Sequence, residues 1–222
     1  MIKKLLVFLT VFASFAVTLP VSSAFADPIR NAAESAEAGG CRITAAGATV
    51  KKVQAKVGVA QDGQLGPITC NAIKAYQCTK NLSVDGVVGP NTWGIMKGNA
   101  APSGLRICAD LKNQKLWLTK NGVRTYTATQ MRSGNPDLGK ITRTGNFRIY
   151  WKNKDHISSI FGTPMPYAMF FDGDNAIHES GFSTRGSHGC LNVRQVDAKK
   201  LWNHAPVGTP VSVWGVRPRG QF

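Results

Sequence analysis

The sequence predicts a multidomain chain, with a small all-α domain of three helices over 46–98 followed by a mainly β domain over 105–222. Three observations lead there. An eight-residue motif occurs twice, "DGQLGPIT" at 62–69 and "DGVVGPNT" at 85–92, 23 residues apart. A small-residue stretch, "KGNAAPSG" at 97–104, interrupts the chain as a linker does. The apolar spacing is helical before that stretch and strand-like after it.

Taken in order, residues 1–26 have the layout of a secretory signal peptide. Lys3 and Lys4 precede an apolar run from Leu5 to Leu19, and Ala24 and Ala26 supply the small residues of a cleavage site before Asp27. That run is shorter than the roughly 20 residues a spanning helix needs, and no later segment resembles a transmembrane helix. Residues 27–45 are rich in Ala, Glu and Gly and read as a flexible N-terminal segment. Val50, Val53 and Val57 then mark one helical face, Ala72, Ile73 and Tyr76 a second, and Trp93 and Met96 a third. In each repeat Asp-Gly and Gly-Pro favour turns, and Thr69 and Thr92 stand where helix N-caps belong. Residues 99–104 form the linker. Beyond it "LRICADLK", "KLWLTKNGVRTYTATQ", "FRIYWK", "PYAMFF" and "TPVSVWGV" are β-rich runs, with Asn121-Gly122 a hairpin signal and one short helix at Val196–Asn203.

Composition narrows the function classes. The chain carries 27 basic and 12 acidic side chains, a net charge of +15. The balance is uneven, with 8 basic and 5 acidic groups over 27–103 against 17 and 7 over 104–222. Export turns this charge away from nucleic acid and toward an anionic cell wall. Five cysteines (41, 70, 78, 108 and 190) in an oxidising compartment imply disulfides and one thiol left over. On one helix Cys70 and Cys78 stand about 12 Å apart, beyond disulfide reach. Cys41 has Cys78 or Cys70 as candidate partners, while Cys108 joins the remainder or stays buried.

The chemistry concentrates in "IHESGFSTRGSHGCLNV", Ile177 to Val193. A free thiol is only a few per cent ionised at neutral pH, so a nearby imidazole that accepts its proton, and pairs with the thiolate, makes a nucleophile. His188 and Cys190 are two residues apart and share a side on a strand. His178 lies across a Gly/Ser-rich turn that can return it to Cys190, and the backbone around Gly189 can hold an oxyanion. Two other readings stand beside this one: a structural cysteine, and a zinc site from His178, His188, Cys190 and Glu179.

The run "SHGCLN", preceded by "AIH", resembles the active-site signature of the L,D-transpeptidases, the YkuD family, and the likeness extends across about 105–216. The run "VKKVQAKVG…DGQLGPITCNAIKAYQ…LSVDGVVGPNTW" resembles the three-helix peptidoglycan-binding domain. The first resemblance implies a β-sandwich in which Cys190 is the nucleophile and His178 the base, oriented by the Glu179 carbonyl. His188 is a second histidine that sequence cannot separate from the base. Gly189 and Cys190 N–H groups, with the Tyr167 hydroxyl, would form the oxyanion hole, while Ser187, Asn192 and Arg194 hold the loop or meet substrate. Trp117, Trp151 and Met165 are assigned to core. The spacing from His178 to Ser187 is shorter than the family's usual gap, and Thr142-Arg143-Thr144-Gly145 replaces its frequent Thr-Pro-x-Gly.

The implied activity is acyl transfer between peptidoglycan stem peptides, with no metal or organic cofactor and with carbapenems as covalent inhibitors. It places the protein outside the membrane, secreted and wall-associated, in cell-wall biogenesis and cell shape. Rivals are an L,D-carboxypeptidase hydrolysing the same thioester and a non-catalytic peptidoglycan-binding protein. A papain-like wall hydrolase fits less well, because its cysteine precedes its histidine.

Overall fold

A computed structural model describes residues 40–181 and 186–220. The signal-peptide reading and most of the flexible N-terminal segment lie outside the described residues. Among those described, no helix is long and apolar enough to cross a membrane.

The first unit is helical. Strand β1 (Arg42–Ile43) pairs in parallel with β2 (Val87–Val88), around helices α1 (Val50–Val57), α2 (Pro67–Thr79) and α3 (Pro90–Lys97). Val53, Ile73, Val88, Trp93 and Met96 form its core. The repeat works differently from its expected capping role. Gly66 and Gly89 occupy the N-cap positions and Pro67 and Pro90 the first turn, where proline's missing N–H costs nothing. Thr69 and Thr92 sit inside the first turn, buried, and their hydroxyls donate back to the Gln64 and Val87 carbonyls.

What each repeat encloses is a buried glutamine. Gln54 Nε2 lies 2.6 Å from Asp62 Oδ1 and 3.0 Å from both Gln64 O and Thr69 Oγ1, while its Oε1 accepts from Gly63 N–H. Gln77 does the same with Asp85, Val87, Thr92 and Gly86, each 23 residues on. The same offset relates the two glutamines in the sequence.

The second unit is a β-sandwich. One sheet runs in the order β5-β4-β3-β12-β7, from Val123–Thr127, Lys115–Lys120, Leu105–Asp110, Pro210–Trp214 and Gly145–Arg148. The other runs β6-β11-β10-β9-β8, from Met131–Arg132, Leu191–Val193, Asn175–Glu179, Pro164–Asp172 and Trp151–Ile157. Asn121 and Gly122 both take positive φ in the β4–β5 hairpin, as the Asn-Gly signal predicts. The shared core takes Ile107, Leu116, Leu118, Val211 and Val213 from one sheet and Met169, Phe171, Ile177, Leu191 and Val193 from the other. Helix α4 (Gln195–His204) adds Ala198 and Leu201.

Strand alternation gives each sheet an outer face, and the two faces have different fates. On the first sheet Cys108, Trp117 and Trp214 point outward and are covered by α2. Cys78 of α2 is bonded to Cys108, and Cys41 to Cys70, which resolves the pairing left open above. Trp214 Nε1 donates to Asn71 Oδ1 at 2.8 Å, and the Thr119 hydroxyl donates to the Thr79 carbonyl at 2.7 Å. The two units therefore share a core of their own. Trp117 and Met165 are buried as expected, but Trp151 is 43% exposed, because its ring lies on the outside of the second sheet against Phe170.

Candidate active site

The outer face of the second sheet carries the candidate residues. On β10 and β11, Ile177, Leu191 and Val193 turn into the sandwich core. Their neighbours Ala176, His178, Cys190 and Asn192 are left on the opposite side. The strands are parallel, with His178 level with Asn192, so Cys190 comes beside Ala176. The Ala176 amide donates to Cys190 Sγ at 3.4 Å, and the thiol faces the Asp174 carbonyl at 3.8 Å. Cys190 is the one free cysteine; the other four are in disulfides.

His178 is held at both ring nitrogens. Its Nδ1 lies 2.6 Å from the Glu179 carbonyl, an atom that only accepts, so Nδ1 carries the proton. Its Nε2 is then the lone-pair nitrogen, and Asn192 Nδ2 donates to it at 2.9 Å. Arg132 Nη2 donates to Asn192 Oδ1 at 3.4 Å, which agrees with that amide orientation. The Glu179 carbonyl thus orients the ring as the sequence led us to expect. Among the described residues no cluster of three or more His, Cys, Asp or Glu side chains has the arrangement to hold a metal ion.

The protonation states follow from burial. His178, 7% exposed, is pushed down to about 4 chiefly by desolvation, against the opposing pull of the Glu179 hydrogen bond; the charges of His156 and Arg132 lower it further. Burial pushes the Cys190 thiol up, the Ala176 amide partly offsets this, and the Asp174 charge adds to it. Both shifts disfavour charge, so the resting pair is neutral thiol and neutral imidazole.

The loop before Cys190 is tied by its own side chains. Ser187 Oγ donates to the Cys190 carbonyl at 2.5 Å and accepts from Gly189 N–H at 3.1 Å. That N–H, expected to face an oxyanion, is turned to the serine. Gly189 has φ 139, and a Cβ there would run into Asn175 Oδ1, so only glycine fits. Thr142 Oγ1 donates to the Gly189 carbonyl at 2.8 Å and accepts from Gly134 N–H, fixing the turn from the other side. His188 is exposed, its ring 4.5 Å from that of Phe161, so the two histidines separate into a buried one and a rim one.

These groups line a cavity of about 910 Å³, within the range of ligand sites. Cys190, His178, His188, Ser187 and Asn192 all line it, joined by Arg132, His156 and Phe161, which the sequence reading missed. Arg143 pairs with Asp172 at its edge. Two expected contacts do not. Tyr167 has φ 57, which changes the phase of β9, and its ring joins the sandwich core and lies against Trp202. Arg194 is the N-cap residue of α4, exposed, with Nε donating to Gln130. A two-residue strand such as β6 carries too little pattern for Arg132 to be found from sequence.

Comparisons with known proteins identify both domains. Residues 104–213 match the L,D-transpeptidase catalytic domain of the YkuD family, and residues 48–96 a putative peptidoglycan binding domain. The comparison with curated proteins finds no match. Among solved structures the chain is similar to an L,D-transpeptidase from Stackebrandtia nassauensis, at 26% identity over 80% of this chain and 96% of that one, with a TM-score of 0.49. One from Xylanimonas cellulosilytica gives 27% over 77% and 97%, with a TM-score of 0.46. A cysteine-to-serine mutant of the Enterococcus faecium L,D-transpeptidase gives 31% over 49% of each chain, with a TM-score of 0.45. LdtMt1, solved in complex with imipenem, gives 21% over 50% and 58%, with a TM-score of 0.45. The free cysteine on the outer sheet face thus lies in a matched catalytic domain, and the chain belongs to the YkuD family of L,D-transpeptidases, with a peptidoglycan-binding domain ahead of the catalytic one.

Proposed function

We propose that this L,D-transpeptidase cross-links peptidoglycan stem peptides through a thioester on Cys190, after export directed by residues 1–26. The observation that carries the reading is that the one free thiol shares a sheet face and a large cavity with a buried imidazole whose Nε2 bears the lone pair. Two disulfides fit an oxidising compartment.

In this reading the donor's third-residue carbonyl enters next to Cys190. His178 Nε2 takes the thiol proton as sulfur attacks, which requires Asn192 to yield its place at that nitrogen. The tetrahedral intermediate collapses to a thioester, and the imidazolium returns the proton to the departing D-Ala amine. An acceptor amine then attacks the thioester, gives up a proton to His178, and releases the thiol with a new amide formed. Because the resting pair is neutral, the ion pair exists only during the reaction. A carbapenem would acylate the same sulfur by opening of its strained amide.

Incubation with a disaccharide-tetrapeptide tests this directly. Dimer formation is the expected product; tripeptide alone would mark a carboxypeptidase, and an unchanged substrate would leave a binding protein. Cys190→Ala should abolish turnover with the fold intact, and intact mass spectrometry should show a carbapenem adduct on wild type only. Cross-linking by the alanine variant would overturn the nucleophile assignment.

A further inference from the structure

Where the helical domain meets the first sheet there is a second cavity, of about 450 Å³, sharing no lining residue with the first. Its walls come from both domains. Lys56, Ile68, Asn71 and Tyr76 belong to the helical side, and Lys112, Lys115, Trp117 and Arg124 to the sheet and its β3–β4 turn. The walls are fixed relative to one another by the Cys78–Cys108 bond, by Trp214 on Asn71, and by Asn71 Nδ2 donating to Asp110 Oδ2 at 2.8 Å.

The charge of this groove is one-sided. Lys56, Lys112, Lys115 and Arg124 line it, against a single acid, Asp110. That carboxylate is 3% exposed and also accepts from the backbone and side-chain amides of Asn113, so it is spent within the protein. The Arg124 guanidinium lies 4.0 Å over the Trp117 ring, anchored as a cation at the groove wall. Ile68, 75% exposed, and the half-buried Tyr76 give an apolar shelf beside these charges. A cleft lined by one sign of charge concentrates the opposite sign. The groove therefore suits an anionic ligand with small apolar groups, and its cations are divided between the two domains.

We propose that this interdomain groove binds a carboxylate-bearing stem peptide of peptidoglycan, on a strand other than the one held at Cys190. The identity of the ligand rests on the function proposed above; the groove and its charge do not. Amide NMR titration of the full chain with a soluble disaccharide-tetrapeptide is the test. Shifts are expected at Ala72, Asn113 and Lys115 as well as around Cys190. Lys56→Glu and Lys115→Glu, one exposed cation from each domain, should each weaken the groove response, and together by about tenfold. The shifts around Cys190 and turnover of the same tetrapeptide should persist in that double variant. Lys199→Glu/Lys200→Glu, on exposed α4 positions, applies the same charge change elsewhere and should leave the groove response intact. Shifts confined to the Cys190 cavity, or an equal loss in the α4 variant, would overturn the proposal. Failure of wild-type turnover with groove shifts present would count against the proposed activity instead.

Discussion

A single amide decides how the candidate base is presented. Asn192 fills the lone-pair side of His178, Arg132 holds the far end of that amide, and the thiol is left to the Ala176 amide and the Asp174 carbonyl. The raised thiol makes the thiolate scarce at neutral pH, so alkylation of Cys190 by iodoacetamide should climb through the alkaline range with no plateau between pH 5 and 8. Had an ion pair been the resting state, the rate would already be high on the acid side. Asn192→Ala should raise the rate at pH 7 by roughly 2–10-fold, the worth of one net hydrogen bond no longer competing for the base. A fall would show that Asn192 supports the thiol. Ser187, Gly189, Cys190 and Asn192 were legible in sequence because one contiguous motif carries them, and His178 because it lies near the start of the same stretch. Arg132 and Thr142 were not, since they arrive through β6 and a distant loop whose approach no local pattern encodes. Tyr167 misled because one left-handed residue reverses which side of a strand faces the cavity.

The helical elements are organised around buried amides rather than caps. Gln54 and Gln77 are 1% and 0% exposed, and each ties the loop before a following helix to the helix it comes from. Replacing either by alanine leaves the Gly63 or Gly86 N–H without its acceptor and takes one donor each from the aspartate, the loop carbonyl and the threonine hydroxyl. We expect Gln54→Ala or Gln77→Ala to cost roughly 2–4 kcal/mol, read from urea unfolding of the whole chain. A loss below about 0.5 kcal/mol would mean water replaces the side chain without cost. The three helices, the Asn-Gly hairpin and the helix near 196–203 followed from periodicity and turn chemistry. The threonines were misplaced by three residues, because Gly-Pro starts the helix before them and their hydroxyls serve the glutamine network.

At the scale of the molecule, the sandwich divides its two outer faces between attachment and chemistry. Alternation in "LRICADLK" and "KLWLTK" showed strands, yet could not say that Cys108 and Trp117 meet a second domain instead of a third layer of sheet. Nor could an odd cysteine count choose among partners. The Cys78–Cys108 bond closes a separation of 30 residues, worth roughly 3–4 kcal/mol by chain entropy. Cys78→Ser/Cys108→Ser should lower stability by about that much. It should also speed hydrogen exchange in α2 and at the Trp117 and Trp214 indoles while leaving β10 and β11 protected. Uniform acceleration across both sheets would mean that the domains do not open separately. Because a shared tryptophan core fastens the helices to the back of the catalytic unit, the Cys190 sulfur sits at a constant offset from the helical domain. Such a molecule is a jig and not an arm on a leash: under the proposed function, whatever the helices grip, the new bond would be made one set distance away.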